Sequence, residues 1–85
     1  MHPRDLTPVE IADLLDAAYR EDRGLGDGGP DTATRLELAS YLGGHPEVEA
    51  QAWEVWQALI AFEDEVDEDD AQFWLHVDFV ELRPQ

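Results

Sequence analysis

Residues 63 to 70 read Glu-Asp-Glu-Val-Asp-Glu-Asp-Asp, seven carboxylates in eight positions with only Val66 interposed. Carboxylates at that density can coordinate hard divalent cations, pair as acid and base, or present a row of negative charge to a cationic partner. Cation coordination needs alternating ligands folded round a turn. Here Asp67 and Asp69 are followed by Ala71 rather than a third ligand, and no glycine breaks the run. The expectation is weak, diffuse binding of divalent ions, with no dedicated metal site and no cofactor. His2, His45 and His76 show no paired ligand spacing either. Acid–base pairs such as those of glycoside hydrolysis need a cleft around the substrate, for which 85 residues leave little room. Ser40 is the sole serine, cysteine and lysine are absent, and neither a His-Glu helical motif nor a phosphate-binding loop occurs. The chain is therefore not expected to be an enzyme.

The third use fits the spacing. As a helix, eight residues rise about 12 Å, so seven charges fall at about one per 1.7 Å, near the axial charge density of duplex DNA. Extended at about 3.3 Å per residue, the charges lie about 3.8 Å apart, close to the spacing of a single strand. Either state could imitate a phosphate row. The plainer reading is a solvated face, the usual role of charge runs, and Asp67 to Asp70 would sit favourably if a helix began there. At the end of a helix the same charges would oppose the macrodipole, at about 0.3–1 kcal/mol each.

Glu47, Glu49 and Glu54 extend the negative surface before the run, Asp78 and Glu81 continue it, and no basic residue stands between Arg35 and Arg83. The candidate partner-binding set is Glu47, Glu49, Glu54, Glu63, Asp64, Glu65, Asp67, Glu68, Asp69 and Asp70, with Trp74 as an aromatic anchor. Trp53 and Trp56 could serve the same purpose, although packing in a core is the commoner use of a large aromatic. Crowding of carboxylates predicts folded pKa values above the unfolded ones, and hence a melting temperature that rises on mild acidification.

The whole chain shares this bias: 21 acidic residues against five arginines and no lysine give a net charge of −16. Residues 1–36 hold eight acids and four arginines, net −4; residues 37–85 hold thirteen acids and one arginine, net −12. Such a surface repels phosphate backbones and anionic lipid, which argues against direct nucleic-acid or membrane binding and for a basic nucleic-acid-binding protein or nuclease complex as partner. In charge and size the chain resembles small acidic inhibitors of restriction enzymes, of CRISPR effectors and of nuclease toxins. The resemblance rests on composition, and it implies an antirestriction, anti-CRISPR or immunity-protein role. The alternative is a non-catalytic helical accessory or dimerisation module whose acidity reflects a high-salt or high-GC proteome.

A 44% hydrophobic content with eight aromatics suffices for one core, so residues 1–85 are expected to form a single acidic domain. Absence of cysteine fits a reducing compartment, and no signal peptide or membrane span is read, which makes the cytoplasm the expected location.

The elements that must carry these residues begin at Thr7-Pro8-Val9-Glu10, a cap, a first-turn proline and a capping-box glutamate, predicting a helix to about Asp22. Gly24-Leu25-Gly26-Asp27-Gly28-Gly29 matches G-x-G-x-x-G in form, but it follows a helix and lacks a neighbouring lysine, so it reads as a connector. Asp31 or Thr34 caps a second helix stopped by Gly43-Gly44. His45-Pro46 opens a long core helix on which Val48, Ala52, Val55, Leu59, Phe62 and Val66 form the apolar face. Phe73, Leu75, Val77 and Phe79 alternate like a strand, yet Asp70 could cap a final helix. The fold expected is an all-α bundle of three to four helices. The alternative is an α+β fold with a two-stranded sheet from residues 32–42 and 73–82; a C-terminal strand left unpaired would instead favour a homodimer through edge pairing.

Overall fold

The capping box at Thr7 forms as its residue types dictate. In the computed structural model, which describes residues 3–26 and 28–79, the Thr7 hydroxyl accepts from the Glu10 N–H at 3.2 Å and the Glu10 carboxylate accepts from the Thr7 N–H at 3.1 Å. Pro8 then opens helix α1, Pro8–Asp22, preceded by a 3₁₀ turn at Pro3–Asp5. Thr7→Ala removes the hydroxyl that accepts from the Glu10 N–H, while the backbone N–H at position 7 keeps its bond to the Glu10 carboxylate; the loss should cost about 1 kcal/mol, lowering the melting temperature by roughly 4–8 °C in a thermal scan.

Gly24, at φ +72°, takes a left-handed conformation just beyond the α1 terminus. The connector then runs back along α1 so closely that a Cβ on Gly29 would lie 2.9 Å from the Ala17 carbonyl oxygen. Asp31 caps helix α2, Thr32–Gly44, accepting from the Thr34 N–H at 2.8 Å. Arg35, one turn in, ties the connector down through the Pro30 carbonyl (3.2 Å), Asp22 (2.9 Å) and Glu21 (3.3 Å). A single residue, His45, separates α2 from helix α3, Pro46–Ile60. Its ring stacks on Tyr41 with centroids 4.1 Å apart.

Helix α4, Glu68–Phe73, runs into a π-helical turn, Trp74–Asp78. The described residues thus form four α-helices and no strand, a small all-α bundle. α1 and α2 both pack against α3. One core unites Ile11, Leu15 and Tyr19 of α1, Leu38 and Leu42 of α2, Trp56 and Ile60 of α3, and Trp74, Leu75 and Phe79 of the last segment. Among the described residues, no helix is long and apolar enough to cross a membrane.

Two sequence expectations are corrected. The α+β pairing does not form: residues 32–42 lie within α2, residues 73–78 are helical, and residues 80–82 fall outside the described part. The alternation that imitated a strand dissolves because Ala71, Trp74, Leu75 and Phe79 point inward at helical spacing, while Phe73 and Val77 face solvent. The long helix also stops earlier than its periodicity implied. It ends at Ile60, leaving Leu59 45% and Phe62 93% exposed, while Val66 reaches the core from the turn beyond.

Candidate functional site

The acidic run is neither one helix nor an extended row. It starts in a turn after α3, where the Glu63 N–H donates to the Ile60 carbonyl (3.0 Å) and the Val66 N–H to the Glu63 carbonyl (3.3 Å). It ends in the first turn of α4. Val66 is buried and pins the middle of the run to the core. Asp67 is the cap of α4, accepting from the Asp69 N–H at 2.9 Å, so Glu68, Asp69 and Asp70 sit at the favourable end of the helix dipole. The Gln57 side chain donates to Glu68 at 2.6 Å and holds the start of α4 beside the last turns of α3.

Three carboxylates of the run turn back onto α1. Arg20 donates to Glu65 at 2.6 Å and lies 3.7 Å from Glu63, while its Nε bonds Asp16 at 3.0 Å. Asp70 receives the Arg23 Nε at 3.0 Å and the Tyr19 hydroxyl at 2.5 Å. Arg23 also lies 3.4 Å from Asp78. No residue between Arg35 and Arg83 is basic, but the fold brings two arginines from before that interval onto the run.

These ion pairs belong to a repeated arrangement. Trp56 Nε1 donates to Asp16 (3.0 Å), the Tyr19 hydroxyl to Asp70, and Trp74 Nε1 to Asp22 (2.8 Å). Each of those carboxylates is in turn bonded by an arginine: Arg20, Arg23 and Arg35 respectively. Each buried aromatic thereby satisfies its polar tip, and each aspartate accepts from an arginine as well as from an aromatic donor. The expected rise of pKa by crowding is reversed at Asp70, whose carboxyl is held below its ordinary value by the hydrogen bonds from Arg23 and Tyr19. Tyr19 is pushed up to about 12, by burial first and by its bond to Asp70 second. A phenol held that high stays protonated at neutral pH and serves as a donor, not as a base.

The candidate set therefore divides. Glu63, Glu65, Asp67, Glu68 and Asp70 hold internal partners. Glu49 lies 3.5 Å from His76 Nδ1 on the flank of α3. Trp74, 1% exposed, sits inside the core between Tyr19, Trp56 and Phe79 and offers no face to a partner. The carboxylates of Glu47, Glu54, Asp64 and Asp69 have no bonded partner among the described residues, and all four residues are exposed. Glu47, Gln51, Glu54 and Ala58 recur at intervals of four, three and four, which sets them on one solvent-facing stripe of α3. Glu81 lies outside the described residues.

What the sequence reading missed is α1: Asp16, Tyr19, Arg20, Asp22 and Arg23. The Asp16–Arg20 spacing of four and the gathering of four of the five arginines in the first half were the available signals. Elsewhere, Leu6, Glu10, Asp13 and Leu14 line an open depression of about 280 Å³ on α1. Among the described residues no three histidines or carboxylates converge as metal ligands. Comparison with protein-family models, with curated proteins and with solved structures gives no match, so the site stands on its own geometry.

Proposed function

We propose that this protein is a small acidic inhibitor that binds a basic nucleic-acid-binding protein, of the antirestriction, anti-CRISPR or nuclease-immunity type, in a cytoplasmic setting. The observation that carries this reading is the distribution of positive charge. Arg20, Arg23 and Arg35 are all spent on internal carboxylates, which leaves Glu47 and Glu54 on the outer stripe of α3, Asp64 in the turn after it and Asp69 in the first turn of α4 uncompensated. Glu47 and Glu54 stand two turns apart, roughly 10 Å along the helix axis, or about three phosphate steps of a single strand. A cationic groove built for phosphates would meet negative charge there that no cation among the described residues pairs with, which favours fast, salt-sensitive association.

The test is competition. Neutralising Glu47, Glu54, Asp64 and Asp69 to Gln or Asn should leave folding intact and weaken capture of the basic partner about tenfold at about 0.15 M salt, and added duplex DNA should displace wild type from that partner. A partner that binds both forms equally, or binds DNA and this protein together, would refute mimicry. The accessory-module reading, which draws on the internal use of Glu63, Glu65 and Asp70, would then take its place.

A further inference from the structure

The longest wholly apolar stretch of the sequence, Ala58 to Phe62, contributes only one residue to the core. Ile60 is buried, whereas Ala58, Leu59, Ala61 and Phe62 are all exposed. Phe62 projects from the turn after α3 with 93% of its surface in water, in a domain whose three tryptophans and Phe79 are all at least half buried. Scattered exposed apolar residues need no explanation, but a contiguous apolar tip does, because the hydrophobic effect would otherwise draw it inward.

We infer that Phe62, with Leu59 three residues before it, is the apolar anchor of the proposed docking surface, inserting into an apolar pocket of the partner while the flanking carboxylates meet a basic rim. Charge decides the occupant. On one side Ala58 continues the stripe that carries Glu54, and on the other Asp64 follows two residues after Phe62, both carboxylates without partners among the described residues. A second copy of the chain, also at −16, would set like charges face to face around the same tip, and an anionic lipid surface would be repelled in the same way. An aromatic centre within a polar rim is the usual anatomy of a protein interface, and a basic rim is the complement of this one.

The inference rests on the proposed acidic docking surface, and the two can fail separately. The full-length protein with Phe62 replaced by p-benzoylphenylalanine is expressed in the source cells, irradiated, and its adducts identified by mass spectrometry; the same label at Val9, exposed on α1, is the control. The expected result is an adduct with a basic protein from position 62 alone. Purified Phe62→Ala should then bind that protein at least tenfold more weakly than wild type, at an unchanged melting temperature. An adduct with a second copy, with a protein lacking a basic surface, or with nothing overturns the inference. If Phe62→Ala binds as wild type does while neutralising Glu54 and Asp64 abolishes binding, the acidic surface stands and the anchor falls. If the position-62 adduct and the Phe62→Ala defect both survive that neutralisation, the anchor stands without the electrostatic reading.

Discussion

Trp56→Ala should cost about 3–5 kcal/mol, the range for removing a large buried aromatic. Against a total on the order of 4–13 kcal/mol for 85 residues, that removes between about a quarter and the whole of the folding free energy. Trp56 is fully buried and contacts three aromatics edge to face: Tyr19 at 5.7 Å, Trp53 at 5.3 Å and Trp74 at 5.8 Å between centroids. Truncation empties the middle of that cluster and strips the indole donor from Asp16. Urea unfolding followed by circular dichroism measures the loss. Trp56→Phe helps to separate the two causes, because it keeps an aromatic ring in the cluster while deleting the donor to Asp16. Phe62→Ala provides the contrast, with a cost near zero at a site 93% exposed. A Trp56→Ala variant losing less than about 1 kcal/mol would mean that the aromatic cluster is not the core of this domain.

In the sequence the three tryptophans look alike, and only the fold separates Trp56 and Trp74, both buried, from Trp53, which is half buried. Where helices start was legible, because starts are written in local chemistry: Thr7-Pro8-x-Glu10, Asp31 and His45-Pro46 each mark one within a residue or two. The end of α3 was not. Phe62 and Val66 continue its period, and no glycine or proline interrupts. The chain departs there because Val66 enters the core and Glu63 and Glu65 meet Arg20, contacts spanning more than forty residues. The same long-range pairing hid the division of the acidic run. A linear count gives its density, but which carboxylates are compensated depends on a helix fifty residues away. In the tail, two apolar faces of opposite period overlapped, and burial of Trp74 in the aromatic cluster decided for the helix.

That compensation fixes the sign of the pH dependence. Asp70 has a folded pKa depressed below its unfolded value by Arg23 and Tyr19, so the stability it contributes is present above the unfolded value, near 3.8, and is lost as pH falls through the folded one. Tyr19 behaves oppositely. Its folded pKa of about 12 exceeds the ordinary 10.0, so its contribution is complete below pH 10 and disappears as pH rises to about 12. Since Tyr19 is almost wholly buried, the alkaline loss should be on the order of 3 kcal/mol. The acid loss should be smaller, because Asp70 is partly exposed and its ion pair is screened. Repulsion among the remaining carboxylates also relaxes on acidification and would mask the acid limb in wild type alone. The difference between wild type and Asp70→Asn largely cancels that background. It should shrink as pH falls from about 5 toward 3, and Tyr19→Phe should remove the alkaline limb between pH 10 and 12. If the wild-type advantage over Asp70→Asn instead grows on acidification, crowding outweighs the arginine and Asp70 belongs to an unrelieved cluster. The separation of internal from outward-facing carboxylates, on which the docking surface depends, would fall with it.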